Sequence, residues 1–240
     1  MVSSNSITPE PIGTRGARGA RREFNQQLSL LQDKLLEMTS MVDSAIIESI
    51  KALETRNISL AEKVNNADQE INKFEVDLQN NCVELIALQS PLAGDLRLIL
   101  SVSQIATELE RIADHAGGIA RIVLLMKDEP LVKPLVDIPI QAEKARAMLN
   151  KAIQAFVQRD IATAYSVDKD DDEVDALYDH IYRDLIDVMI NNPSVIEPAT
   201  RLLWVAHNLE RIADRSTNIA ERTIFTATGE LSPDMSSSSY

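Results

Sequence analysis

The residues best placed to do chemistry are paired carboxylates. Glu110 with Asp114 and Glu210 with Asp214 stand four residues apart, a step that stacks both side chains on one face of a helix. Both pairs lie in the same string, Leu-Glu-Arg-Ile-Ala-Asp, at 109–114 and again at 209–214. Upstream stands a second set at the same step: Asp171 and Asp175 before the second string, Asp68 and Asn72 before the first. Facing carboxylates from two packed helices offer hard oxygen ligands for Mg²⁺, Ca²⁺, Mn²⁺ or iron. The competing reading is a solvated acidic face, neutralised by the neighbouring Arg111 and Arg211. Like charges four residues apart cost an isolated helix about 0.2–0.5 kcal/mol, so either reading requires compensation.

Catalytic patterns do not accompany these acids. His115, His180 and His207 are the three histidines, and none forms the Glu-x-x-His step of di-iron carboxylate bundles. No His-Glu-x-x-His, no Gly-x-Ser-x-Gly and no phosphate-cradling glycine loop occurs. No catalytic and no cofactor-binding residue is therefore nominated. The metal candidates are Asp68, Asn72, Glu110, Asp114, Asp171, Asp175, Glu210 and Asp214. A binding protein without catalysis is the preferred class. The alternatives are a metal-dependent hydrolase or oxidase using the clusters, and a purely structural helical scaffold.

The elements that must position these acids are helices. Apolar residues make up 45% of the 240 and aromatics 4%, with 7 Gly and 9 Pro, a mixture poor in the aromatic runs that favour strands. Three- and four-residue apolar steps predict helices at about 23–56, 59–89, 93–127, 140–159, 161–191 and 195–228. Ser59 with Glu62 reads as a capping box for the second. The third has the seam Val102, Ile105, Leu109, Ile112, Ala116, Ile119 and Val123, which alternates steps of three and four as in a left-handed bundle. Ser90-Pro91 and Asn192-Pro193 interrupt the pattern, and Gly229 reads as a helix stop.

The chain is expected to be all-α, with six long helices in two tandem three-helix bundles. The repeat is read from the shared six-residue string and from Ile119-Ala120 and Ile219-Ala220, all offset by 100. Val64, Asp68, Glu70 and Ile71 match Val167, Asp171, Glu173 and Val174 at an offset of 103. The expected boundaries are a flexible basic tail at 1–22, a first repeat at 23–127 and a Pro-rich linker at 128–139. A second repeat at 140–229 and a Ser-rich tail at 230–240 complete the chain.

Charge narrows the partners. The net charge is −13, which argues against nucleic-acid binding and against direct attachment to an anionic membrane. No run of about 18 apolar residues and no signal-peptide core stands out, so a cytoplasmic location without membrane insertion is expected. Cys82 is the one cysteine, expected as a buried inert thiol. Trp204 is expected in the core, and each histidine in an ordinary hydrogen-bonded or exposed role.

With these motifs in place, the chain resembles the PhoU family from about 24 to 230. The specific strings are Gln-Ser-Pro-Leu-Ala-Gly-Asp-Leu-Arg at 89–97, the two Leu-Glu-Arg-Ile-Ala-Asp strings, and the continuation of the second through Glu221. Ala113 and Ala213 stand where the family usually has Gly, a mild change inside a helix. The resemblance implies two three-helix bundles side by side and repression of the phosphate-starvation response when phosphate is plentiful. It implies two partners, the ATPase subunit of the phosphate ABC transporter and a phosphate-sensing histidine kinase, with peripheral membrane attachment through them and a homodimer. It also implies metal ions at Glu/Asp-x-x-x-Asp motifs, here Asp171/Asp175 with Glu210/Asp214 and Glu110/Asp114 with Asp68. Asn72 departs from the acidic pattern, leaving the first site one charge poorer.

Overall fold

The computed structural model describes residues 13–127 and 130–230, and among them there are six long helices and no strand. The helices are α1 (Gly13–Thr55), α2 (Ile58–Gln89), α3 (Ala93–Leu125), α4 (Asp137–Gln158), α5 (Ile161–Asn191) and α6 (Ile196–Thr228). A single 3₁₀ turn, Pro193–Val195, precedes α6. The all-α duplicated architecture expected from the periodicity is the one observed.

Helix ends follow local chemistry, with three departures from expectation. The cap of α2 is Asn57, not Ser59: the Leu60 N–H donates to Asn57 Oδ1 at 3.0 Å. Asn57 has extended backbone at φ −87° and ψ 97°, the geometry of an N-cap, and Ser59 already lies inside the helix. Helix α1 starts at Gly13, within the stretch expected to be a flexible tail. Extending an established helix adds one hydrogen bond per ordered residue and needs no new nucleus. Arg21 fastens this end, reaching Asp95 Oδ2 at 2.5 Å and lying 5.2 Å above the Phe24 ring. The remainder of that tail, the 231–240 tail and residues 128–129 of the linker lie outside the described residues. Pro139, expected in the linker, falls in the first turn of α4, where a missing N–H costs nothing. Gly229 does end α6, with φ +81° and its N–H on Phe225 O at 2.8 Å.

Helices α1–α3 form one bundle and α4–α6 the other. The two join through α3 against α6, and more lightly through α1 against α4. Every seam residue of α3 is buried, from Val102 to Val123. Its counterpart on α6 runs through Leu202, Val205, Leu209, Ile212 and Ile219, each 0% exposed. Across the α1–α4 contact, Arg146 grips Asp43 with both arms, Nε to Oδ1 at 2.8 Å and Nη2 to Oδ2 at 3.0 Å. Cys82 is buried as expected, and burial pushes its thiol up to about 11. Trp204 is not in the core. It is 63% exposed, because the buried stripe of α6 runs through Leu202, Val205, Ala206 and Leu209 and passes it by. No helix among the described residues is long and apolar enough to cross a membrane.

Candidate functional site

Each acid set comes from an outer helix and a central one. Helix α2 presents Asp68 and Asn72 to Glu110 and Asp114 of α3; helix α5 presents Asp171 and Asp175 to Glu210 and Asp214 of α6. The pairing works because Val64 and Ile71, like Val167 and Val174, anchor the outer helix in the core. That leaves the intervening acid between two anchors, at the rim of the same groove. Within each group the carboxyls act on one another. Asp68 feels Asp114, Glu110 feels both, and Asp171 feels Asp175, Asp214 and Glu210.

The two sets differ in depth. Glu210 is buried and Asp171 and Asp214 are half-buried, with Asp175 exposed. Glu110 is half-buried and Asp114 exposed. Burial, reinforced by Asp175, Asp214, Asp168 and Glu210, pushes the Asp171 carboxyl up to about 7. Burial and then Asp214 push Glu210 up to about 7 as well, against the opposing pull of Arg211. Asp214 and Asp175 are raised too, chiefly by burial. In the first set Asp68 is raised by burial and Asp114, and Arg121 opposes the shift. Glu110 is raised by burial, Asp114, Glu75 and Asp68, with Arg111 opposing.

Several buried oxygens here have no hydrogen-bond partner among the described residues: Asp171 Oδ1, Glu210 Oε2 and Glu221 Oε1 in the second repeat, Asp68 Oδ1 and Asn72 Oδ1 in the first. A buried acceptor left unpaired costs about 1–3 kcal/mol, so both grooves hold unmet demand for a donor or a cation. His207 Nδ1 comes within 3.3 Å of Glu210 Oε2 without making a hydrogen bond. Burial lowers the His207 pKa below its ordinary value, so at neutral pH this ring supplies little charge.

The arginines divide between the two readings. Arg211 Nη1 is 2.6 Å from Asp214 Oδ2 and partly neutralises the second set. Arg111 instead approaches Glu108 Oε1 at 3.5 Å. Among the described residues no three Asp, Glu, His or Cys side chains already stand at metal-ligating spacing, so an ion must draw the carboxylates inward. The donors themselves fit a hard divalent cation: they are oxygens, mutually repelling, partly desolvated and unsatisfied.

Sequence reasoning nominated eight residues and missed neighbours that share the field. Glu221 sits seven residues after Asp214, and its carboxyl is raised by burial, with Glu108 and Asp168 adding to the shift against Arg222. The seven-residue step after Asp214 was the available signal, since two helical turns return to the same face. Glu108 also ties the bundles together, accepting from Asn218 Nδ2 at 3.2 Å and pairing with Arg215 Nη1 at 3.4 Å. At the repeat-related place, His115 Nδ1 meets Asn208 Oδ1 at 3.0 Å.

Known proteins share this fold and much of this sequence. A family model described as the PhoU domain matches residues 35–123 and 138–223. The chain is 36% identical over 211 residues to the phosphate-specific transport system accessory protein PhoU homolog of Clostridium acetobutylicum, covering 88% of this chain and 96% of that one. It is 37% identical over 206 residues to the homolog of the same name from Aquifex aeolicus, covering 86% and 93%. The crystal structure of PhoU from Pseudomonas aeruginosa is similar with a TM-score of 0.82 and 32% identity, covering 86% of this chain and all 100% of that one. Since the family model spans both repeats and the relatives align along most of their length, this chain belongs to the PhoU family.

Proposed function

We propose that this chain is a negative regulator of phosphate uptake and of the phosphate-starvation response. It acts by binding, not by catalysis. Its partners are the ATPase subunit of the phosphate ABC transporter and a phosphate-sensing histidine kinase, and it works in the cytoplasm as a homodimer held near the membrane through them. The observation that carries this reading is the match of both repeats to the PhoU domain, together with relatives named as accessory proteins of phosphate-specific transport. The acidic surface suits a partner with a basic face, and the net charge of −13 disfavours nucleic acid.

The acid sets bind hard divalent or iron-type metal ions in this reading. Asp171, Asp175, Glu210 and Asp214 form the stronger site, and Asp68, Asn72, Glu110 and Asp114 the weaker. Support comes from the orphaned buried oxygens and from the greater carboxyl crowding in the second repeat. A bound cation supplies positive charge beside Asp171 and Glu210, whose carboxyls are otherwise pushed up to about 7.

Deleting the gene tests the regulatory part. A phosphate-starvation reporter is expected to stay on in phosphate-rich medium and to be silenced again by a plasmid copy. Normal repression in a strain with no second family member overturns the proposal.

A further inference from the structure

The repeats part company one helical turn before the acid motif. His207 precedes Glu210 by three residues, and the residue at the same place before Glu110 is Thr107. Thr107 is tied into α2. Its hydroxyl donates to Glu75 Oε1 at 2.9 Å and accepts from Gln79 Nε2 at 3.0 Å. At the 103-residue offset those two α2 residues become Tyr178 and Tyr182 of α5, and the polar net is replaced by rings. The His207 ring lies 6.1 Å from the Tyr178 ring at a tilt of 50°. Its Nδ1 stands 3.3 Å from Glu210 Oε2 with no hydrogen bond between them. Glu210 is 8% exposed, and that oxygen has no hydrogen-bond partner among the described residues. Asp175, across the groove on α5, is exposed and acts on Glu210. Its counterpart in the first repeat is the neutral Asn72.

We propose that His207 is a nitrogen ligand of the second-repeat metal site, beside Glu210 and Asp175, and that it selects a transition-metal ion of the zinc or iron(II) class over Mg²⁺ and Ca²⁺. The inference rests on the metal-binding reading of the acid sets and narrows it to a ligand and an ion class. Two ligands held by one ion at about 2.1 Å stand about 3.0–3.4 Å apart across an octahedral or tetrahedral edge. The separation of Nδ1 and Oε2 matches such an edge. An imidazole suits zinc and iron, whereas Mg²⁺ and Ca²⁺ take oxygens. Tyr178 packs against the ring and limits its rotation. Among the described residues the three groups do not yet stand at ligating spacing, so the exposed Asp175 swings inward on loading. Arg211 pairs with Asp214 one turn further along α6, nearer the other end of the set. The first repeat has neither His207 nor Asp175 at the matching places and keeps oxygen donors only.

Zinc is diamagnetic, so nitrogen nuclear magnetic resonance can follow the imidazoles while the untagged, chelator-stripped full chain is titrated with Zn²⁺ or Mg²⁺. One of the three histidines is expected to shift at Nδ1 with Zn²⁺, and none with Mg²⁺. His207→Gln is expected to remove that shift and to weaken Zn²⁺ binding by about tenfold or more in calorimetry. Its Mg²⁺ affinity and circular dichroism are expected to stay at the wild-type values. Asp175→Asn is expected to weaken Zn²⁺ binding and to keep the imidazole shift at saturation. Zn²⁺ uptake that shifts no imidazole overturns the assignment of His207 and leaves the carboxylate reading intact. So does a folded His207→Gln protein with wild-type Zn²⁺ affinity. Equal losses of Zn²⁺ and Mg²⁺ affinity in that variant overturn the selectivity. Uptake of neither ion by the folded wild type overturns the underlying metal reading as well.

Discussion

The two repeats share one core and two different rims. Leu109 and Leu209, Ile112 and Ile212, Ile119 and Ile219 are all 0% exposed at matching positions. The rims diverge: Asn72 faces Asp175, Arg121 faces Glu221, and Asn65 faces Asp168 in the correspondence. After duplication the interior stays constrained, because packing penalises any change of volume. A groove lip tolerates charge reversal as long as its neighbours compensate. The second groove is deeper and more crowded with carboxylate and holds Arg211 on Asp214, while the first lies nearer the surface. A duplicated fold thus keeps two frames and lets their sites drift apart in chemistry.

The core side of that comparison predicts the largest effects. Leu109→Ala and Leu209→Ala, each at a fully buried seam position, are expected to cost about 2–5 kcal/mol apiece. Urea unfolding should show similar losses in the two repeats. A loss confined to one repeat would break the claim that the cores are equivalent.

Metal comes next. Asp214→Asn is expected to abolish most of the melting-temperature gain on adding metal, and Asp114→Asn much less. The gain itself reaches about 2.7 kcal/mol when free metal is 100-fold above its dissociation constant. Elemental analysis of protein purified without chelator should track the same order. Equal losses from the two substitutions would erase the proposed distinction between rims.

Without metal, pH should separate the rims in a different way. Asp171 and Glu210 are pushed to about 7 in the folded chain, against ordinary values of 3.8 and 4.5. Such groups hold protons more tightly folded than unfolded. Their stabilising contribution is therefore complete at acidic pH and is lost as pH rises through about 7. The metal-free protein should melt lower at about pH 8 than at about pH 5.5. Asp171→Asn together with Glu210→Gln should flatten that dependence, and metal should oppose it, since loading releases the protons. A double variant that keeps the full slope would place the titration elsewhere.

The smallest expected effect lies at the contact between the bundles. Arg146 and Asp43 are both mostly buried and form a two-armed pair. Asp43→Asn is expected to cost about 1 kcal/mol and to leave metal content unchanged. A change in metal stoichiometry from this substitution would show that the rims communicate through the α1–α4 contact.

Much of this molecule is legible without coordinates. Apolar periodicity, proline breaks and the 100-residue offset are properties of neighbouring residues along one chain, and helices obey them locally. Six helices, their duplication, the buried seam, the three acid pairs and the Asp68/Asn72 pair all follow from them. Tertiary structure decided what depends on the material packed across from a residue. Asn57 caps α2 in place of Ser59 because backbone geometry at the turn, not motif spacing, aims its side chain. Trp204 faces outward because the position of a buried stripe is set by which helix lies opposite. Equal spacing at Glu110/Asp114 and Glu210/Asp214 hid unequal burial, and desolvation, the leading cause of the shifts at Asp171 and Glu210, is a property of the surroundings. Arg121 folds back past Gly117 to bring its Nη2 3.5 Å from the Asp114 carbonyl oxygen, and that likewise needs three dimensions, since it joins a missing side chain on one turn to a charge on the next.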